Sequence, residues 1–537
     1  MFDLILKGGE IHDGSGAAGL VGDVAISDGL IRAIGPDIAT ASGADSGAEV
    51  LDVSGLTVSP GFVDMHTHSD FTLIADGRAE SQVHQGVTTE VIGQCGISCA
   101  PVCSHEAIRQ VAPWHIDGVK HARWRGFGEY LDALQASDLG VNVMAFVGHG
   151  SIHRAVLGDA LRAGDQREVA EMARLVEQCM EEGAGGFSSG LEYFPGSLAA
   201  PEHLLPMCAV AASRGRLYAT HVRNRDSHYD LGFAEAIATA RQSGARLQIS
   251  HIQPKFGAPD YAMQHSLEMI ELARRYDVDI AFDVIPHDWN HTLMAAILPK
   301  WAQAGGLDDI RQRLADPQAR ERIKANPQPM WLIVKARRWQ DIVLLNASEN
   351  KDIVGLDFAE IGRLRGVDPY DAVLDILLEE GDSLMSCMWS SRSFRDSDVE
   401  LCLRQPECAV ISDTVAIANE GILKDQLGSL SGYGWAARFL QHYVRDRGVL
   451  SLAEALAKIT AIPARRLGLR GRGELKPGYH ADICVFDRAQ IASNATARQP
   501  RRYASGIAHV LVNGHFSMRD GQRTAANAGR VLREFAA

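Results

Sequence analysis

Six side chains with metal-binding chemistry, His66, His68, Cys95, His221, His251 and Asp413, each stand at or just past the end of a short apolar run. His66 and His68, at i and i+2, share one face of a strand, so both can reach a single ion. One buried histidine is ordinarily explained by a hydrogen bond. Imidazoles at matching depth on several strands have no simpler common explanation than a shared metal. Asp413 closes CAVISD, an apolar run that would not otherwise tolerate a carboxylate. It could cap the following helix. It could also act as the general base of a metal-assisted hydrolysis, taking a proton from the attacking water and passing it to a leaving nitrogen.

The elements that must position these residues are compact apolar runs, most followed by a helical stretch, which is the pattern of βα units and a parallel sheet. In order they are FVDMHTH, TTEVIGQCG, VMAFVGHG, GGFSSGL, LYATHV, LQISHI, IAFDVIP and CAVISD. Eight such units predict a (β/α)8 barrel over residues 59–474, whose chemistry sits at the C-terminal ends of the strands. DQREVAEMARLVEQCMEEG and GFAEAIATARQSG have a 3.6-residue period and a terminal glycine, as helices do. SLMSCMW is a ninth candidate strand, and the gap from Pro286 to Cys408 is too long for one crossover. Residues 288–360 are therefore read as an insertion, with MWLIVKA and DIVLLNA as β-like runs. Short β-rich segments with Gly, Asp and Ser at their breaks fill the two chain ends, 1–58 and 475–537, and predict one small β-sandwich.

Composition excludes other classes. The chain of 537 residues is 46% hydrophobic and 22% charged, without an apolar run near the ~18 residues of a membrane span. A net charge of −14 argues against nucleic-acid binding, which needs basic stripes. Nine cysteines form no even framework, and the start MFDLILKGGEIHDG lacks the apolar stretch of a signal peptide. A cytoplasmic location is expected. In IGQCGISCAPVC, the cysteines at 95, 99 and 103 resemble a three-ligand knot, but only Cys95 ends a strand. Pro101 breaks any helix joining the others, so Cys99 and Cys103 read as small apolar fillers.

SPGFVDMHTHSD, QGVTTEVIGQCGISCAPV, GAGGFSSGLEYFPGSLA, THVRN, SHIQPK, ISD and the tail SLAEALAKITAIPARRLGLRGRGELKPGYHADICVFD together resemble the N-acyl-D-amino-acid deacylase group of the amidohydrolase superfamily. The resemblance spans nearly the whole chain. It implies a TIM-like (β/α)8 barrel with a small β-sandwich and a late insertion, and zinc-dependent removal of the acyl group from a small N-acyl-D-amino acid. It also implies a tight zinc site at Cys95, His221 and His251, with His66, His68 and Asp413 forming a second, weaker one. Selectivity for D over L rests on the resemblance alone. The related dihydroorotases, hydantoinases and isoaspartyl dipeptidases bridge two metals with a carboxylated lysine on the fourth strand. Between Lys120 and Lys255 this chain has no lysine, so a bridging role falls to the Cys95 thiolate.

The substrate's α-carboxylate calls for a cation near the mouth. Arg223 and Lys255 are the candidates, each equally readable as half of a salt bridge. Tyr193 matches a family tyrosine near the substrate and could donate to the oxyanion, or could pack as a core aromatic. The chain departs from the family at Ile285, Pro286 and His287, where Tyr-Pro-Tyr is usual, and His287 joins the substrate-contact candidates. It departs again at Thr414, at the spacing of Lys255 from His251, and at SLSGYGWAARF. These positions point to an altered acyl or side-chain pocket. The rival readings are a cyclic amidase of the dihydroorotase or hydantoinase type, disfavoured by the missing lysine, and a metal-free scaffold, disfavoured by six retained ligands. Homo-oligomerisation is left open.

Overall fold

The computed structural model describes residues 2–42, 47–104, 123–158, 160, 162–304, 306–325, 332–426 and 428–535. Eight parallel strands follow one another around a barrel: Phe62–Asp64, Val87–Ile92, Asn142–Gly148, Gly186–Gly190, Leu217–His221, Arg246–Ile249, Ile280–Val284 and Cys408–Val410. They are the eight runs expected from the sequence, in the same order. Every residue of these strands except Arg246 is buried, because both faces of the sheet are covered. In the third strand Met144 and Phe146 point into the barrel, while Val143, Ala145 and Val147 pack under the helices. The last strand meets the first only at the mouth: Asp413 N–H donates to His66 O at 3.1 Å, and His68 N–H to Thr414 O at 2.7 Å.

Local sequence sets the helices. Gln166–Glu181 begins with a capping box, Asp165 accepting from Glu168 N–H at 2.9 Å while Glu168 accepts from Asp165 N–H at 2.8 Å. Val169, Met172, Val176 and Met180 form its buried stripe. Tyr229–Ser243 stops where Gly244 turns left-handed, at φ 73°.

The two chain ends share one mixed nine-stranded sheet, built from Leu4–Pro60 and from strands between Ile483 and Arg523. Leu4, Val24 and Ile31 pack with Ile483, Val485 and Leu511 in a single core. Its hairpins use Asp-Gly and Asn-Gly turns with both residues at positive φ, as at Asp28-Gly29 and Asn513-Gly514, which matches the twist of the flanking strands. The final segment leaves this sheet, and Phe535 packs with the barrel interior.

Between the seventh and eighth barrel strands the chain builds a separate layer. Asn290–Leu293, Ile342–Asn346 and Met388–Ser391 form an antiparallel sheet with the third of these in the middle. Its core runs from Met294 through Phe358 and Leu374 to Trp389, so the layer continues past the boundary at 360 read from the sequence. Helices at Phe358–Arg365 and Pro369–Glu379 belong to that core, and SLMSCMW supplies the central strand rather than a ninth barrel strand. MWLIVKA is corrected as well. Leu332–Lys335 is one helical turn with Ile333 and Val334 buried, because packing overrides the β propensity of so short a run. Met330 and Trp331 lie outside the described residues.

Candidate metal centre at the barrel mouth

All six expected ligands converge at the C-terminal end of the barrel, in two groups whose donor atoms lie within 4.8 Å of one another. One group holds His66, His68, Cys95 and Asp413; the other holds Cys95, His221 and His251. Cys95 alone belongs to both. Its Sγ lies 3.3 Å from His66 Nε2, 3.3 Å from His251 Nε2 and 3.8 Å from His221 Nδ1. Asp413 Oδ1 lies 3.4 Å from His66 Nε2 and 3.2 Å from His68 Nε2.

Three of these residues are presented by backbone that L-residues rarely adopt. Cys95 has φ 53°, His251 φ 36° and Asp413 φ 54°. Each left-handed residue costs about 1–2 kcal/mol, so the surroundings must hold it. The Cys95 turn is flanked by Gly93, whose own φ is 76° and where a Cβ would stand 2.0 Å from Phe146 O. Ser188, on the fourth strand, ties the turn by accepting from Gly96 N–H at 3.0 Å and donating to Gly93 O at 2.5 Å. Tyr193 Oη donates to Cys95 O at 2.7 Å. His251 N–H donates to Asp283 Oδ1 at 2.6 Å, and the Arg225 guanidinium donates to His251 O. Asp64 Oδ1 accepts from Ser412 N–H at 3.1 Å, just ahead of Asp413.

The electrostatics suit a cation. Burial opposes ionisation of Cys95, but the imidazoles of His66 and His251 outweigh it and hold the thiol well below its usual range. Burial likewise works against the Asp413 carboxylate, and His251, His66 and His68 overcome it. Tetrahedral zinc with bonds of about 2.3 Å to sulfur and 2.0–2.1 Å to nitrogen separates neighbouring S and N donors by about 3.5 Å. The observed 3.3–3.8 Å bracket that value. One soft thiolate, four borderline imidazoles and a hard carboxylate make a mixed S, N and O donor set of the kind zinc takes.

The sequence matches the model of the Amidohydrolase family over residues 49–251 and 425–517. The chain belongs to the amidohydrolase family. It is 32% identical to a D-aminoacylase of Alcaligenes xylosoxydans xylosoxydans, over all of this chain and 98% of the relative. It is 30% identical to an N-acyl-D-glutamate deacylase of the same organism, over 95% and 93% of the two chains. Among solved structures, an N-acyl-D-glutamate deacylase from Bordetella bronchiseptica, complexed with zinc and a phosphonate mimic of the tetrahedral intermediate, superposes with TM-score 0.81 at 29% identity, covering 99% of this chain and all of that one. A D-hydantoinase from Thermus sp. shares the fold at TM-score 0.55 and 15% identity, over 99% of each chain.

Around the candidate ligands of this amidohydrolase, the expected substrate contacts fare differently. Arg223 is paired with Glu235 at 2.8 Å and donates to Ser197 O and Ala199 O. Lys255 forms a buried ion pair with Glu192. Both cations are thus already neutralised, and neither offers an uncommitted charge to a carboxylate. Arg225, two residues beyond Arg223, has no carboxylate at ion-pair distance among the described residues, and its Nε has no partner there. Tyr193 lies at the mouth with its ring 5.2 Å from that of His221, but its hydroxyl proton goes to the Cys95 carbonyl. His287 follows the seventh strand, is buried, and has no partner for Nε2 among the described residues. Burial and Arg438 hold it well below the ordinary histidine range.

Sequence reasoning missed Glu192, whose Oε2 lies 2.6 Å from His221 Nε2. The available signal was an acid placed two residues past the fourth strand, directly before Tyr193. Cys99 is buried, and its thiol is pushed well above the usual range by burial. Cys103 is exposed, which corrects its reading as apolar filler.

Proposed function

We propose that this chain is a zinc-dependent deacylase that removes the acyl group from N-acyl-D-amino acids, giving a carboxylate and a free D-amino acid. The observation that carries this reading is Cys95, set within reach of both donor groups in a chain that resembles D-aminoacylases over its full length. Cys95, His221 and His251 would hold the tighter zinc, and His66, His68 and Asp413 a second one. Bound zinc supplies a Lewis acid for the scissile carbonyl and lowers the pKa of a bound water. Asp413 takes the proton of the attacking water at its carboxylate and returns it to the leaving nitrogen. Tyr193 and His287 flank the substrate. With Arg223 and Lys255 committed to Glu235 and Glu192, Arg225 meets the α-carboxylate.

The partner is a small molecule rather than a nucleic acid, in keeping with a net charge of −14. No helix among the described residues is long and apolar enough to cross a membrane. All nine cysteines are free thiols, which supports a reducing cytoplasm.

The test is a panel of N-acetyl and longer N-acyl D- and L-amino acids, with a hydantoin as control, assayed with added zinc. Turnover of the D-series is expected; turnover of the hydantoin alone would reverse the assignment.

A further inference from the structure

His221 is held at both ring nitrogens. Nδ1 faces Cys95 Sγ at 3.8 Å, and Nε2 lies 2.6 Å from Glu192 Oε2. The other two deeply buried imidazoles of the centre have nothing comparable. His66 Nδ1 stands 4.0 Å from Asp283, too far for a hydrogen bond, and His251 Nδ1 has no partner among the described residues. Glu192 is in turn anchored by Lys255, with side chains only 2% and 5% exposed. At that depth neither charge is tolerated without the other. The three residues come from the loops after the fourth and sixth strands and the end of the fifth, so the pair spans the βα loops on either side of His221.

A carboxylate accepting at Nε2 requires the ring proton to sit there, which leaves the Nδ1 lone pair for a metal. It also fixes the ring plane. We propose that Glu192, anchored by Lys255, is a positioning residue that sets the tautomer and orientation of His221 for zinc binding, and that this withdraws Lys255 from substrate recognition. The assignment rests on the reading above that Cys95, His221 and His251 bind zinc.

The experiment measures the zinc dissociation constant of the full chain by competition with a chelating dye, alongside thermal unfolding of the metal-free protein. Parent protein that binds no zinc would defeat the functional reading itself, whatever the variants do. If the parent binds zinc, the charge-balanced variant E192L/K255M is expected to bind it about 10–100-fold more weakly. E192Q/K255M, which keeps an acceptor for Nε2–H, is expected to recover part of that loss. Equal affinity in parent and E192L/K255M overturns the proposal. So does a tenfold rise in KM for an N-acetyl-D-amino acid in E192Q/K255M with an unchanged zinc constant, because Lys255 would then be a substrate contact. Should the leucine variant fail to unfold cooperatively, E192D replaces it. That variant keeps the ion pair but draws the carboxylate back from Nε2, and an unchanged zinc constant in it is equally fatal.

Discussion

The two halves of the candidate metal centre are built differently. Around Cys95, His221 and His251 the ligands are braced from outside: Asp283 and Arg225 fix the His251 backbone, Ser188 and Tyr193 the Cys95 turn, and Glu192 the His221 ring. On the other side, His66, His68 and Asp413 chiefly hold one another, with His68 and Asp413 side chains 21% and 19% exposed. A braced site gives up little conformational entropy when a cation arrives, whereas the partly exposed His68 and Asp413 must be ordered by it. The difference fits the proposed pair of positions, one tighter and one looser, with Cys95 belonging to both groups.

Breaking the shared ligand has the largest expected effect. C95A should remove zinc from both halves and lower kcat by at least about 10³-fold, measured by metal analysis and the deacylase assay. D413A separates the halves: kcat should fall by about 10²–10⁴-fold while one zinc stays bound at Cys95, His221 and His251. Loss of all zinc in that variant would mean the halves are not independent. D283A removes the acceptor for His251 N–H and should weaken the tight zinc by about 10–100-fold, with a smaller change in kcat at saturating metal. C99A and C103S form the lower bound. Neither thiol reaches the centre, so zinc content should be unchanged, and C99A should cost only about 1 kcal/mol of stability for a small cavity.

The convergence of these side chains was legible in the sequence because a histidine, cysteine or aspartate ending an apolar strand violates the local pattern, and a barrel brings strand ends together. His66, His68, Cys95, His221, His251 and Asp413 all follow from that rule. What the rule does not reach is pairing between loops. Lys255 and Glu192 are 63 residues apart, and nothing local marks either as the other's partner. Arg223 lies two residues from His221 in sequence, but its side chain turns to Glu235 on the next helix. The inserted layer was recognised as an excess of chain. Its end is hidden from the sequence because its central strand, Met388–Ser391, returns only after two further helices. In MWLIVKA, too few residues separate the periods of strand and helix.

The barrel seam carries one more consequence. First and last strands touch only where Asp64, His66 and His68 meet Ser412, Asp413 and Thr414, a junction between residues as much as 348 apart in sequence, with the inserted layer folded between them. Contacts of such separation are costly to close, since the loop-closure entropy must be met before they contribute. Ring closure therefore carries the largest loop-closure entropy of any strand pairing in the barrel, and it is this pairing that sets Asp413 beside His66 and His68. A cation spanning His68 and Asp413 would serve this protein as a clasp on its final fold as well as a catalyst.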